Sequence, residues 1–252
     1  MTMERVYAPV IALARTVFRA QGLKFTIVGA DNVPRTGGAV MAINHLSYFD
    51  FTYAGLAAQP SKRYVRFMAK QSIFEHKIAG PLMRSMQHIP VDRQAGAASY
   101  REALQALKSG EIVGVFPEAT MSRSFELKPF KSGAARMARD ARVPLLPTTL
   151  WGAQRVWSKD VPKNRGRSHI PIFIEVGEPI PVPKGSNVDE ASERLRAAMQ
   201  EQLARQQAAY PVLTGDDLRY LPARLGGTAP TLEAAAALDL RDMSRTRDEF
   251  NS

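Results

Sequence analysis

The sequence predicts an α/β domain: a mixed, largely parallel central sheet of about seven strands flanked by helices, with an N-terminal amphipathic helix and a helical C-terminal extension. Two observations carry this. Short apolar runs alternate with stretches of helical periodicity, the pattern of strands joined by crossover helices. The run Ile112 to Phe116 is almost wholly apolar, as a strand covered on both faces is. The 252 residues suffice for one such domain with helical additions. The expected divisions are a membrane-surface helix over 1–21, the α/β domain over 22–185 and the extension over 186–252.

Residues 4–20 read as an amphipathic helix, with Val6, Val10, Leu13 and Val17 at helical spacing and Ile11 and Phe18 widening the stripe. Arg5, Arg15 and Arg19 flank it. Such a helix either lies in a membrane interface or packs on its own domain. Strands are expected at 23–28, 39–43, 64–69, 88–91, 112–116, 145–150 and 172–176. Ser47 is expected to cap a helix over 49–58 that stops before Pro60. A helical stretch over 71–86 is interrupted at Gly80-Pro81. Further helices cover 96–108, closed by Ser109-Gly110, and 131–141. Residues 151–171 carry five basic side chains against one acid and read as a loop. Asn187, with Glu190 three residues on, has the form of a capping box and opens a charged helix that Pro211 ends. An alanine-rich helix starts near Thr231, and the mixed-charge end after it is expected to be mobile.

The absence of cysteine excludes disulfides, thiolate zinc sites and a cysteine nucleophile. The net charge of +10 points to an anionic partner: nucleic acid, an anionic membrane surface or a phosphorylated small molecule. No run approaches the roughly 18 apolar residues of a transmembrane helix. The start does not read as a signal peptide, since Arg15 and Arg19 interrupt its apolar part and no small-residue cleavage site follows.

Four stretches carry chemistry. In INHLSYFD, an apolar run stops at Asn44 and His45, and Asp50 follows five residues after the histidine. That spacing lets the carboxylate fold back onto the imidazole, giving a general base with an orienting acid. The alternative is a buried histidine bonded to a local carboxylate. In VGVFPEATMSRS, a second strand stops at Glu118 and Thr120, with Pro117 fixing the exit. Ligands bind at the carboxyl ends of strands in such sheets, so the two polar ends are expected at one rim. HIPVDR presents Arg93 at another strand end. In KPFKSGAARMA, Lys128 and Lys131 precede a helix start, an arrangement suited to phosphate.

Together these stretches resemble the 1-acyl-sn-glycerol-3-phosphate acyltransferase (lysophosphatidate acyltransferase) family. The family's N-H-x-x-x-x-D motif is matched by Asn44, His45 and Asp50. Its second motif is matched by Ile89, Pro90 and Arg93. Its F-P-E-G-T-R-S motif is matched by Phe116, Pro117, Glu118, Thr120 and Ser122, and its V-P-x-x-P segment by Val143, Pro144 and Pro147. The resemblance covers about residues 22–182. Two positions depart from it: Ala119 replaces the family glycine, which suggests a turn without positive φ, and Met121 replaces the family arginine, with Arg123 two residues later.

The resemblance implies acyl transfer from acyl-CoA or acyl-carrier protein to the free hydroxyl of 1-acyl-glycerol-3-phosphate, with another lyso-lipid or a glycolipid as alternative acceptor. His45 is the expected base and Asp50 its orienting acid. Asn44, Arg93, Phe116, Pro117, Glu118, Ala119, Thr120, Arg123 and Lys131 are the expected substrate-binding residues, with Arg93 the main phosphate ligand and Asn44 or a nearby backbone N–H on the oxyanion. No metal or cofactor is implied, and no nucleic acid is expected. The expected setting is the cytoplasmic face of the membrane, held peripherally. The reading from another class is a non-enzymatic basic protein that binds anionic lipid or nucleic acid.

Overall fold

The computed structural model of the chain describes residues 2–92 and 96–251, so Arg93 lies outside the described residues. The strands are β1 (Lys24–Val28), β2 (Ala39–Ile43), β3 (Val65–Lys70), β4 (Ile89–Val91), β5 (Ile112–Val115), β6 (Leu145–Trp151) and β7 (Pro171–Val176). The helices are α1 (Thr2–Ala20), α2 (Asp50–Ala57), α3 (Gln71–Glu75), α4 (Ala79–Ser85), α5 (Gly96–Lys108), α6 (Gly133–Ala141), α7 (Val188–Ala209) and α8 (Leu232–Asn251). The strands form one sheet in the order β1-β7-β6-β2-β5-β3-β4. Every pairing is parallel except β6 with β7. The mixed, largely parallel sheet expected from the sequence is therefore present.

Side chains alternate across β2, which sits at the centre. Val40 and Ala42 enter a core shared with α5, α6 and α7. Ala39, Met41 and Ile43 enter the opposite core, under α1 and α2. Helix α7 buries Leu195, Met199 and Leu203 against the first core. Its Gln202 and Gln206 amides donate to the carbonyls of Pro147 and Thr149 in β6. Pro147 is tolerated in this inner strand because β7 has already ended beside it: its carbonyl accepts the N–H of Gly177, past the end of β7.

Local structure departs from the sequence reading at several points. Helix α1 buries Tyr7 and Phe18, with Ile11 and Ala14 packed between them. The stripe at 7, 11, 14 and 18 therefore faces the domain, whereas Leu13 and Val17 of the expected stripe are exposed. The Tyr7 hydroxyl donates to the Val65 carbonyl at 2.5 Å, which fastens this face of the helix to β3. The break expected at Gly80-Pro81 comes earlier, between α3 and α4. There the His76 ring accepts the N–H groups of Ile78 and Ala79, and Pro81 falls in the first turn of α4, where a missing N–H costs nothing. Ser47 does not cap α2. Its hydroxyl donates to the Trp157 carbonyl, and the helix starts at Asp50 with Phe49 at the cap position. The mixed-charge end continues as helix to Asn251.

Gly114 lets β3 and β5 pack at full depth. A Cβ there would lie 2.6 Å from the Phe67 ring and 2.8 Å from Val65. Gly114→Ala is expected to destabilise the fold by about 1–3 kcal/mol through overpacking, read as a lower urea midpoint with an unchanged slope.

Candidate active site

The site is built where β2 and β5, paired in parallel, end side by side. The chain leaves β2 through Asn44, which is fully buried. The Asn44 carboxamide donates to the Leu150 carbonyl at 3.0 Å and accepts the Leu150 N–H at 2.7 Å. It behaves as one more peptide unit clamped to β6. The expected role of Asn44 on the substrate is thus corrected: its amide is engaged in fixing the strand end from which His45 projects.

His45 Nδ1 lies 3.0 Å from Asp50 Oδ2. The same oxygen accepts the N–H groups of Leu46 at 2.6 Å and Ser47 at 2.7 Å. With both backbone donors already on it, Asp50 is held before it meets the ring. Nδ1–H then donates to Asp50 and leaves Nε2 with the lone pair, the tautomer a general base requires. The histidine side chain is 23% exposed while Asp50 is fully buried, so the imidazole reaches solvent and the carboxylate does not. Burial pushes the Asp50 carboxyl above its ordinary value, against the hydrogen bonds from His45, Ser47 and Leu46. The Phe116 ring stacks on the imidazole with centroids 4.2 Å apart.

Glu118 joins the two strand ends from below. One carboxylate oxygen accepts the His45 N–H at 2.9 Å, and the other accepts the Lys128 N–H at 3.0 Å. It is buried, so it braces the site and does not line it. Burial pushes the Glu118 carboxyl up to about 7, with the Lys128 and His45 N–H groups acting against that shift. Further clamps hold the loop: the Ser122 N–H donates to the His45 carbonyl at 2.8 Å, and the Ser158 hydroxyl to the Leu46 carbonyl at 2.5 Å.

The remaining expected residues divide. Ala119 is exposed and has φ +62°, so the turn does take the left-handed conformation that the family glycine would favour. The expectation of a turn without positive φ is overturned. The Ala119 N–H bonds the Phe116 carbonyl, which closes the turn and fixes that backbone. Pro117 is buried and its carbonyl accepts the Lys131 N–H. Lys131 is exposed just before α6, and Thr120 receives the Lys128 ammonium. Met121 is buried with its sulfur 3.4 Å from the Ser158 hydroxyl, so an arginine there would bury its charge. Arg123 does not face the site as a free phosphate ligand. It is 5% exposed and ion-paired with Asp160, Asp239 and Asp242. Sequence reasoning missed Ser158, Lys159, Asp239 and Asp242, which come from segments with no local signal linking them to His45. Among the described residues no group of three or more His, Asp or Glu side chains is placed to hold a metal ion.

Two variants test this architecture. Glu118→Gln offers one acceptor oxygen to two N–H groups, so one is left facing an amide donor. A loss of about 1–3 kcal/mol in stability is expected, with a fall in activity as the His45 loop loosens. The pH profile separates charge from shape. The folded carboxyl titrates near 7 and the unfolded one in the ordinary range, so the folded state retains a proton between them. Wild-type stability should therefore fall as pH rises through that window, by up to about 1.4 kcal/mol per unit, and Glu118→Gln should flatten the slope. Denaturant titrations from pH 4.5 to 7.5 measure it. The second variant, Ala119→Gly, relieves a side chain at positive φ and should keep the fold while raising stability by up to about 1 kcal/mol.

The profile of the Acyltransferase family matches residues 24–151, half of the chain, and this span holds β1 to β6 with His45, Asp50 and Glu118. The 1-acyl-sn-glycerol-3-phosphate acyltransferase of Bacillus subtilis is 33% identical over 127 residues, 50% of this chain and 62% of that protein, so the match spans under two thirds of that relative. The protein of the same name from Borreliella burgdorferi is 27% identical over 190 residues, 73% of this chain and 72% of that one. The crystal structure of the 1-acyl-sn-glycerophosphate acyltransferase from Thermotoga maritima shares the fold, with TM-score 0.61 and 21% identity over 79% of this chain and 81% of that one. His45 and Asp50 stand paired at the exit of a central strand, within the half of the chain that the family model matches, and the chain belongs to the Acyltransferase family, which its similarity to proteins named 1-acyl-sn-glycerol-3-phosphate acyltransferase accompanies.

Proposed function

We propose that the chain transfers a fatty acyl group from acyl-CoA or acyl-carrier protein to the free hydroxyl of 1-acyl-glycerol-3-phosphate, giving phosphatidic acid. The observation that carries this reading is the His45–Asp50 pair, with Nδ1 on the carboxylate and Nε2 left as base. The acceptor oxygen attacks the thioester carbonyl while His45 Nε2 takes its proton. Collapse of the tetrahedral intermediate breaks the C–S bond, and the imidazolium returns the proton to the thiolate. Asp50 holds the ring and stabilises the imidazolium charge. The acyl group arrives already activated, so no covalent enzyme intermediate is needed. With the Asn44 amide engaged by Leu150, the oxyanion falls to backbone N–H groups. Lys131, exposed before α6, and Arg93, by its place in the second motif, take the acceptor phosphate.

No helix among the described residues is long and apolar enough to cross a membrane. We assign the membrane contact to the exposed face of α1, where Leu13 and Val17 stand among Arg15 and Arg19, and to Ile73 of α3, Leu82 of α4 and Ile78 in the break between them. Lipid substrates then reach the site from the bilayer surface.

The test is mass spectrometry of products from palmitoyl-CoA and oleoyl-CoA against a panel of lyso-lipids. Phosphatidic acid should dominate. His45→Ala should abolish it, and a folded Asp50→Asn protein should be slower by about 10⁴-fold, as for other histidines deprived of their orienting carboxylate. Wild-type turnover by either variant removes the mechanism.

The membrane contact is tested by Leu13→Asp with Val17→Asp. These positions are exposed, so the fold should survive, while vesicle co-sedimentation should weaken and become more salt-sensitive. Unchanged co-sedimentation would place the contact elsewhere.

A further inference from the structure

A cluster of three cations lies beside the catalytic loop, covered by the C-terminal helix. Arg123 directs Nε at Asp160, Nη1 at Asp239 and Nη2 at Asp242, the last at 2.6 Å. The Lys128 ammonium bonds the Thr120 hydroxyl and Asp239, and the Lys159 ammonium bonds Asp242 at 2.5 Å. Three cations thus meet three carboxylates, and two of those carboxylates come from α8. Without α8, the three cations would face Asp160 alone, a net charge of +2. We propose that Arg123, Lys128 and Lys159 form a phosphate-binding site, and that α8 closes it by presenting Asp239 and Asp242 in the phosphate's place.

Four features support this. A guanidinium fork accepts the oxygens of a carboxylate or of a phosphate in the same geometry, so one can stand in for the other. Among the described side chains of α8, Ala235 is buried and Leu232 and Leu240 are exposed, while Asp239 and Asp242 join it to the cluster by ion pairs. Arg123 is buried, but its partners Asp160 and Asp242 are 57% and 43% exposed, so solvent and competing anions reach the cluster from that side. A cavity of about 520 Å³ borders the cluster, lined by Arg123, Lys159 and Arg219 and also by Asp160 and Asp216, with room for an incoming phosphate group beside the cations. Finally, the cations sit on the segments that clamp His45: Lys128 through its N–H on Glu118, and Arg123 and Lys159 next in sequence to Ser122 and Ser158. Whatever occupies the cluster therefore sits against the supports of the base. The phosphate has two sources, the acceptor lipid or the CoA of the donor. That identity rests on the acyl-transfer reading; the site itself does not.

Hydrogen exchange of α8 in the full chain tests the closure, using inorganic pyrophosphate against sodium chloride at matched ionic strength. Pyrophosphate should accelerate exchange in α8 and chloride should not. The Asp239→Asn, Asp242→Asn double variant should bind pyrophosphate about tenfold more tightly by calorimetry, because the open state no longer has to be populated against an internal competitor. Lys159→Gln should weaken that binding. Lysophosphatidate and free CoA, tried separately, identify the source by which of them reproduces the release of α8. If neither does while pyrophosphate still does, the site stands and the acyl-transfer reading loses its support here. If pyrophosphate leaves α8 exchange unchanged in the wild type, or the double variant binds it no more tightly, α8 is a fixed cap and the proposal is overturned.

Discussion

One buried carboxylate holds the site together. Glu118 sits where β5 gives way to its exit turn and accepts the N–H of His45 from the neighbouring strand end and the N–H of Lys128 from the returning loop. Removing a carboxylate from water is costly, and the cost is offset only if its oxygens meet donors. The fold supplies them from two segments, which the Ser122 N–H also ties together by donating to the His45 carbonyl. Glu118 therefore links the positions of His45 and of the cation-bearing loop.

His45 itself is positioned by a sequence of constraints that runs inward. The Asn44 carboxamide fastens the end of β2 to β6, Asp50 draws the next three residues into a tight turn through one oxygen, and the imidazole stacks on Phe116. Each is a short-range interaction made in a buried or half-buried setting, where it is strong and poorly screened. Further along, Phe125 adopts φ +57° although its side chain is buried in the core. A bulky residue held in the left-handed region carries strain, and core packing on Phe125 with the Ser122 bond to the Glu126 carbonyl holds the loop against it.

Much of this was legible in the chain. The order of strands and helices follows from apolar runs and their period, which are local. The His45–Asp50 pair is legible because five residues span one turn, and the shared rim of β2 and β5 because parallel strands put their exits on one side. What escaped depends on partners far off in sequence. Nothing near Asn44 announces Leu150, and nothing near Arg123 announces a helix more than a hundred residues later. The buried face of α1 was legible in part: Val6, Val10, Ile11 and Phe18 do pack on the domain, whereas Leu13 and Val17 are exposed and Tyr7, whose hydroxyl bonds the distant Val65 carbonyl, was not read as buried. Ala119 misled for another reason: the turn is fixed by its hydrogen bond, and a residue without a favourable left-handed conformation is carried along.

The reversed strand β7 decides where the chain finishes. β6 delivers the chain to the catalytic rim, and β7, running the other way, returns it to the opposite edge of the sheet. The 22 residues of α7 then span about 33 Å, enough to climb the full height of the layer again. Tyr210, just past its end, reaches the Pro171 carbonyl at the start of β7, back at the rim. Had β7 been parallel, the same helix would have led the chain away from the histidine. Strand polarity at one position in the sheet thus brings the chain back past Tyr210 to the rim at the start of β7, and brings α8 to the side where Arg123 meets Asp239 and Asp242.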